Sequence, residues 1–279
     1  MYRLSLLFLF LCGTLLADVK PLVFAPLPMK DAVTIYETFA PMTRSLELSL
    51  DRKIDYHISE SYEDLMVAIQ KGEIDITYLG PLPYILAKEK NENLKPLVVF
   101  NESDSKPTYA CVLVAWAPQK KQYELKNLNP KETTIALTSP LSTCGYYAVD
   151  RMLKRSEYGY ILDMFRYRYL GKHDEVALAV VRGEFQYGGL KEDIANQYSH
   201  LGLEVVARLD NMPGFALIVD SNRVDPSLQG AIYNTLLQTK EEIYSHWGRG
   251  IDKGMRPASD EMYWNFKQIL YKDQWRLKP

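Results

Sequence analysis

The sequence predicts an α/β fold built as two lobes, each a mostly parallel sheet flanked by helices, with a ligand cleft between the lobes. Three observations carry this expectation. Short β-branched and aromatic runs alternate with longer amphipathic stretches from one end of the chain to the other, which is the pattern of βαβ units. The segment Ala68-Ile-Gln-Lys-Gly-Glu-Ile-Asp75 returns 111 residues later as Ala179-Val-Val-Arg-Gly-Glu-Phe-Gln186, as if one plan were used twice. The 279 residues, 47% hydrophobic and 24% charged, are enough for one large or two medium domains that need no disulfide staples.

At the start of the chain, Arg3 precedes an apolar run from Leu4 to Leu11, and Ala17 closes the segment. That order describes a secretory signal peptide, expected over residues 1–17. Cys12 follows Leu11 rather than a small residue, so lipid anchoring is not expected. No later run reaches the ~18 apolar residues of a spanning helix. The mature chain is expected to work outside the cytoplasm.

Strands are expected at Pro21–Ala25, Lys53–Ile58, Ile74–Leu79, Leu97–Phe100 and Tyr109–Trp116, then at Thr134–Leu137, Arg166–Leu170, Leu203–Leu209 and Phe215–Val219. Helices fall between them. The first, after Met29, carries Val33, Tyr36, Phe39 and Leu46 on a helical repeat and should be kinked or interrupted at Pro41. The second opens on Ser61, an N-cap with Asp64 three residues on, and closes on Gly72. In both copies of the repeated segment a helix end, a glycine cap and a strand lead to a glycine-containing loop, Gly80-Pro81 in the first and Gly188-Gly189 in the second. Such loops lie at strand C-termini, where α/β folds bind ligands. Lys/Arg-Gly-Glu is also an ordinary helix-stop sequence, so repeat and coincidence stand side by side.

The net charge of −2, from 33 Lys and Arg against 35 Asp and Glu, argues against nucleic acid as a partner. The histidines, His57, His173, His200 and His246, are scattered, and no metal-binding spacing, P-loop, G-x-S-x-G elbow or G-x-G-x-x-G is present. Neither a metal, a cofactor nor an enzymatic reaction is expected. Cys111 and Cys144, the cysteines beyond the signal segment, either pair or stand as free thiols.

Thr138-Ser-Pro-Leu-Ser-Thr-Cys-Gly-Tyr-Tyr147 does carry a signal, because it joins an apolar strand to a helical pattern. Hydroxyl side chains and the unpaired N–H groups of a helix start can cradle an anion there. Ser142 or Thr143 acting as a plain helix cap fits the same segment. His173, in Gly-Lys-His-Asp ahead of a helical run, could present an imidazole N–H, and Tyr62, Tyr78 and Tyr109, at loop edges, phenolic donors.

Phe24-Ala-Pro, Tyr62, Gly72-Glu-Ile-Asp-Ile-Thr-Tyr-Leu-Gly-Pro81, Tyr109-Ala-Cys-Val-Leu-Val, Ser142-Thr-Cys-Gly145 and His173-Asp-Glu-Val-Ala-Leu-Ala-Val follow one another in order, and Arg256-Pro-Ala-Ser-Asp260 with Tyr263 closes the series. Together they resemble the PhnD-like family of periplasmic phosphate, phosphite and phosphonate binding proteins, which are receptors for ABC transporters. The resemblance implies the type II periplasmic binding protein fold, with residues 18–108 in lobe one, 109–210 in lobe two and 211–279 returning to lobe one. It implies a monomer without cofactor that delivers a small oxyanion to a permease, the anion being held by Tyr62, Tyr109, Ser142, Thr143 and His173.

Members of that family that bind aminophosphonates hold the ammonium with acidic residues, one of them just after a Pro-Gly pair. Here Pro213-Gly214 is followed by Phe215, leaving Glu192 or Asp193 as the remaining candidates. Burial of an ammonium with one carboxylate missing is unfavourable, so aminophosphonates are disfavoured. Cys144 stands where the family more often has serine, and Cys111 lies two residues after Tyr109. Free thiols at those positions would suit a thiophilic ligand such as arsenite and a periplasmic sensor that docks on a membrane histidine kinase. Cys144 with His173 would also be the one nucleophile and base pair for an enzyme.

Overall fold

The computed structural model describes residues 20–102, 105–118, 125, 128–154 and 162–272, so the expected signal segment and Cys12 lie outside the described residues. The first sheet starts with β1 (Leu22–Pro26), which is flanked by β2 (Ile54–Tyr56) and β3 (Ile76–Leu79), both parallel to it. Helices α1 (Ala32–Leu50) and α2 (Tyr62–Gln70) make the crossovers, and α3 (Pro81–Lys90) leads to β4 (Leu94–Phe100). The chain then enters a second sheet at β5 (Thr108–Trp116) and continues through β6 (Thr134–Leu137), α4 (Ala148–Lys154), β7 (Arg166–Tyr169) and α5 (His173–Val181). After β8 (Tyr187–Lys191) and α6 (Glu192–Gln197), the long strand β9 (Leu203–Pro213) leads back to the first sheet. There β10 (Ala216–Asp220), α7 (Pro226–Gln238), α8 (Glu241–Tyr244), β11 (Met255–Pro257) and α9 (Glu261–Lys272) complete the described chain.

The strand orders are β11-β4-β10-β3-β1-β2 and β7-β6-β8-β5-β9. Parallel pairing is confined to β2-β1-β3 and β7-β6-β8; β10 pairs antiparallel with β3 and β4, and β5 pairs antiparallel with β8 and β9. The sheets are therefore mixed rather than mostly parallel. Parallel neighbours need a crossover, whereas β10 and β5 arrive from the other sheet and can lie against resident strands in the opposite sense.

The two connections between the sheets run side by side. Phe100 N–H donates to Phe215 O (2.9 Å) and Gly214 N–H to Pro107 O (2.7 Å). A Cβ on Gly214 would fall 2.8 Å from Pro107 O and from Val99 Cγ2, so only glycine lets the strands approach this closely.

The repeated segment is structural. Helices α2 and α5 both span nine residues, and each ends on a glycine of positive φ, Gly72 (+68°) and Gly183 (+73°). Glu73 N–H returns to Ala68 O (3.1 Å), and Glu184 N–H to Ala179 O (3.0 Å). One turn later, Val23 N–H donates to Asp75 Oδ2 (2.7 Å) in one lobe and Thr134 N–H to Gln186 Oε1 (3.0 Å) in the other. A chance helix stop would not reproduce that last pair.

Several expectations need correction. Gly188 and Gly189 lie within β8, not in a loop after it, and the sequence offered no strand over 187–191. A Cβ on Gly188 would meet Val176 and Val180 of α5 at 2.8 and 2.9 Å, and one on Gly189 would meet the Cys144 carbonyl oxygen at 2.9 Å. The two glycines thus admit close neighbours to both faces of the strand. Pro41 does not interrupt α1, which runs unbroken from 32 to 50. Its buried face is Ile35, Phe39, Met42, Thr43 and Leu46, while Val33 (66%) and Tyr36 (53%) are exposed. Burying a large apolar side chain yields roughly 1.5–3 kcal/mol, so three of these offset the ~3 kcal/mol of an interior proline.

Candidate functional site

Five of the six oxyanion-binding candidates converge where the lobes meet. Tyr62, Tyr109, Ser142, Thr143 and His173 line a cavity of about 10 Å³, walled further by Leu27, Met29 and Phe215. That volume is about that of a single water-sized sphere. Local structure positions each group. Tyr62 is the first residue of α2, set by the Ser61 cap, whose Oγ accepts from Asp64 N–H (3.1 Å). His173 is the first residue of α5, and its backbone N–H donates across the cleft to Met29 O (3.1 Å).

Ser142 and Thr143 begin a π-helical turn over Thr143–Tyr147 that precedes α4. The Ser142 hydroxyl caps this turn by accepting from Gly145 N–H (2.9 Å), and it lies within reach of the Tyr62 hydroxyl. Thr143 Oγ1 accepts from Leu82 N–H (3.1 Å) at the start of α3, a second polar contact between lobes. Capping and cradle are thus one arrangement. The starts of α2, α3 and α5 all border this region, and their dipoles favour an anion, although in α3 Pro81 and Pro83 carry no N–H and Leu82 N–H is taken by Thr143.

Tyr78 is not part of the cavity. Its ring stacks on Phe215 (centroids 5.1 Å apart), and its hydroxyl points to Gly250 O (3.5 Å), lining a separate chamber of about 210 Å³. Phe215 therefore stands between Tyr78 and the anion cradle.

Cys111 and Cys144 are joined by a disulfide that ties β5 to the π-helical turn, with Cα atoms 4.9 Å apart. Both are buried. Neither offers a thiol, so thiol contacts to a ligand, the thiophilic reading and a Cys144–His173 nucleophile pair all lose their reactive group.

Burial raises the pKa of the Tyr62 and Tyr109 hydroxyls, which keeps both protonated as donors. Desolvation, helped by the nearby Lys191 and Lys30, pushes the His173 pKa down to about 3, so the imidazole is neutral. Among the described residues the Tyr109 hydroxyl and His173 Nδ1 are buried without a partner of good hydrogen-bond geometry, although Thr143 is near enough to Tyr109 to temper its rise. Two orphaned polar groups at one small cavity are what a site for a polar ligand leaves open.

The sequence reading missed one feature. Lys191 lines the cavity fully buried, and its ammonium lies 2.8 Å from Glu102 Oε1, 4.8 Å from the Phe215 ring centre and 5.3 Å from that of Tyr109. The 111-residue offset could have found it, since Lys191 caps α6 as Gly80 caps α3. Of the acidic candidates beside it, Glu192 is held by Arg208 at the surface (2.6 and 2.8 Å), and Asp193 lines the larger chamber near Arg249 (3.6 Å). Neither lines the anion cavity. Among the described residues no cluster of His, Cys, Asp and Glu is disposed to hold a metal, and no helix is long and apolar enough to cross a membrane.

Residues 24–263 match the family described as ABC transporter, phosphonate, periplasmic substrate-binding protein. The chain belongs to this family. The family so described is a transport component that binds its substrate. The chain is 21% identical over 176 residues to the phosphate-import protein PhnD of Mycolicibacterium smegmatis, an alignment that covers 61% of this chain and 54% of that protein. The chain thus spans about half the length of this curated relative.

The fold of this substrate-binding protein matches PhnD1 from Prochlorococcus marinus, solved with methylphosphonate, at a TM-score of 0.77 and 17% identity, covering 91% of this chain and 98% of that one. It also matches a binding-protein component of an ABC phosphonate transporter from Pseudomonas aeruginosa, at a TM-score of 0.80 and 15% identity, covering 91% and 87%. These likenesses establish the type II periplasmic binding architecture.

Proposed function

We propose that this protein captures a small phosphorus oxyanion, namely phosphate, phosphite or a short phosphonate, in the cavity between its lobes and hands it to an ABC permease. Tyr62, Tyr109, Ser142, Thr143 and His173 are the contacts. One observation carries the reading: both lobes present neutral donors and helix starts to one buried cavity, and two of its polar groups are unpartnered. Neutral donors suit a tetrahedral oxyanion, because several can share its charge without a buried counter-ion that would itself need solvating.

Lys191 adds an ammonium next to the cavity, but Glu102 compensates it, so the helix starts and hydroxyls do the recognising. The same ammonium, with no free carboxylate lining the cavity, disfavours aminophosphonates. The name of the curated relative, a phosphate importer, and the methylphosphonate in the Prochlorococcus structure agree with this ligand class.

Calorimetric titration of the exported chain against phosphate, phosphite, methylphosphonate and 2-aminoethylphosphonate tests it. Tight binding of one of the first three, with 2-aminoethylphosphonate much weaker, is expected. Absence of binding to all of them would overturn the reading.

A further inference from the structure

Among the described residues the wall of the anion cavity carries a single charged side chain, Lys191, since His173 beside it is neutral. Lys191 ends β8 in the second sheet, while Glu102 follows β4 on the first connection between the sheets, and the two side chains are only 5% and 4% exposed. Glu102 Oε1 accepts from the Lys191 ammonium (2.8 Å) and is its one hydrogen-bond partner among the described residues. An ammonium has three N–H donors, so two are left without a protein acceptor. Glu102 itself does not line the cavity, and the ion pair thus turns its positive end toward it. From this arrangement we infer that Glu102 is an internal counter-ion that competes with the bound oxyanion for the Lys191 ammonium, so that the pair sets how tightly the anion is held. The inference rests on the oxyanion reading above.

Both charges reach the cavity. Next to burial, the Lys191 charge lowers the His173 pKa, and the Glu102 charge adds to the burial that raises the Tyr109 pKa. A bare ammonium in a dry site attracts an anion strongly, because little screens the two charges there. A carboxylate at hydrogen-bond distance offsets most of that attraction, since the anion then meets a pair without net charge. Glu102 thereby holds the affinity below what the ammonium alone would give, which eases release of the anion to a permease.

Calorimetry with phosphate, phosphite and methylphosphonate on the whole exported chain and its variants tests the inference. Glu102→Gln frees the ammonium for the anion and should tighten binding at least about tenfold, while the unliganded variant unfolds at lower urea because its buried ammonium has lost its partner. A merely structural pair would lower affinity and stability together. Lys191→Met leaves the carboxylate unopposed and should weaken binding at least about tenfold, and Lys191→Met with Glu102→Gln should fall between the two single variants. Glu102→Asp keeps the buried charge and draws it back from the ammonium, so it should show a gain of about threefold even if the glutamine variant does not fold.

Glu102→Gln and Glu102→Asp binding no tighter than the parent chain would overturn the competition, as would a double variant that binds no better than Lys191→Met. Failure of the parent chain to bind any of the three anions would instead overturn the oxyanion site itself, and this inference would fall with it.

Discussion

Tyr62 and His173 occupy the same place in two copies of one structural plan. Each is the first residue of a nine-residue helix, and the two lie 111 positions apart, the offset that also relates Ala68 to Ala179 and Val23 to Thr134. Brought together across the cleft, these helix starts give the cavity two rings that are both neutral at ordinary pH, one a phenol and one an imidazole.

Removing any one of these polar groups should weaken anion binding without unfolding the chain. Tyr62→Phe, Tyr109→Phe and His173→Ala are each expected to cost about 1–3 kcal/mol, the scale of a hydrogen bond to a charged group. Calorimetry with the tightest-binding oxyanion reads this directly, and unchanged affinity in all three would sink the assignment.

The depressed pKa of His173 makes a prediction about acid. Its folded value of about 3 lies below the ordinary value of 6.5, so between these limits the unfolded chain binds a proton that the folded chain does not. Stability from this group is complete above about pH 6.5 and falls as the pH drops toward 3, with a slope of up to about 1.4 kcal/mol per pH unit. Urea unfolding of the unliganded protein and of His173→Gln across pH 4–7 should show the shallower acid loss in the variant.

The disulfide closes a loop over a sequence separation of 33. Loop-closure entropy then assigns it about 3–4 kcal/mol. The double variant Cys111→Ala with Cys144→Ala should lose most of that in denaturant unfolding. It should also bind the anion more weakly, because Cys144 belongs to the turn that carries Thr143. An unaltered affinity would show that the capped turn holds its shape by itself.

The Lys191–Glu102 pair should behave non-additively. Lys191→Met strands a buried carboxylate and should cost about 3–5 kcal/mol, whereas Lys191→Met with Glu102→Gln should recover much of the loss. A double-mutant cycle in thermal or urea unfolding measures the coupling, and simple additivity would contradict it.

Much of the fold was legible because its signals are local. Ser61 with Asp64 announced the start of α2, and the glycines of the repeated segment announced the ends of α2 and α5. What escaped was set by partners distant in sequence. Gly188 and Gly189 read as a loop because glycine disfavours strands, yet here α5 and the π-helical turn press on both faces of β8 and leave room for nothing larger. Pro41 read as a break because the lost backbone bond is visible in the sequence and the compensating burial is not.

The site shows the same division. Residue type and local context suggest an anion cradle at Ser142, Thr143 and His173 and phenolic donors at several tyrosines, while the set of Tyr62, Tyr109, Ser142, Thr143 and His173 comes from the family resemblance. Tyr78 stood in an equally suggestive motif, but its ring turns away behind Phe215. Lys191 was overlooked because a lysine in sequence reads as surface, and only its distant partner Glu102 explains why it is buried.

A reducing cytosol keeps cysteine pairs open, whereas an oxidising compartment closes them. The family is described as periplasmic, and in a protein exported to such a compartment the strut between Cys111 and Cys144 is a maturation step as well as a stabilising one. A chain still inside the cell would lack the brace beneath its Ser142–Thr143 turn and gain it after translocation. Export would then finish the framework of that turn.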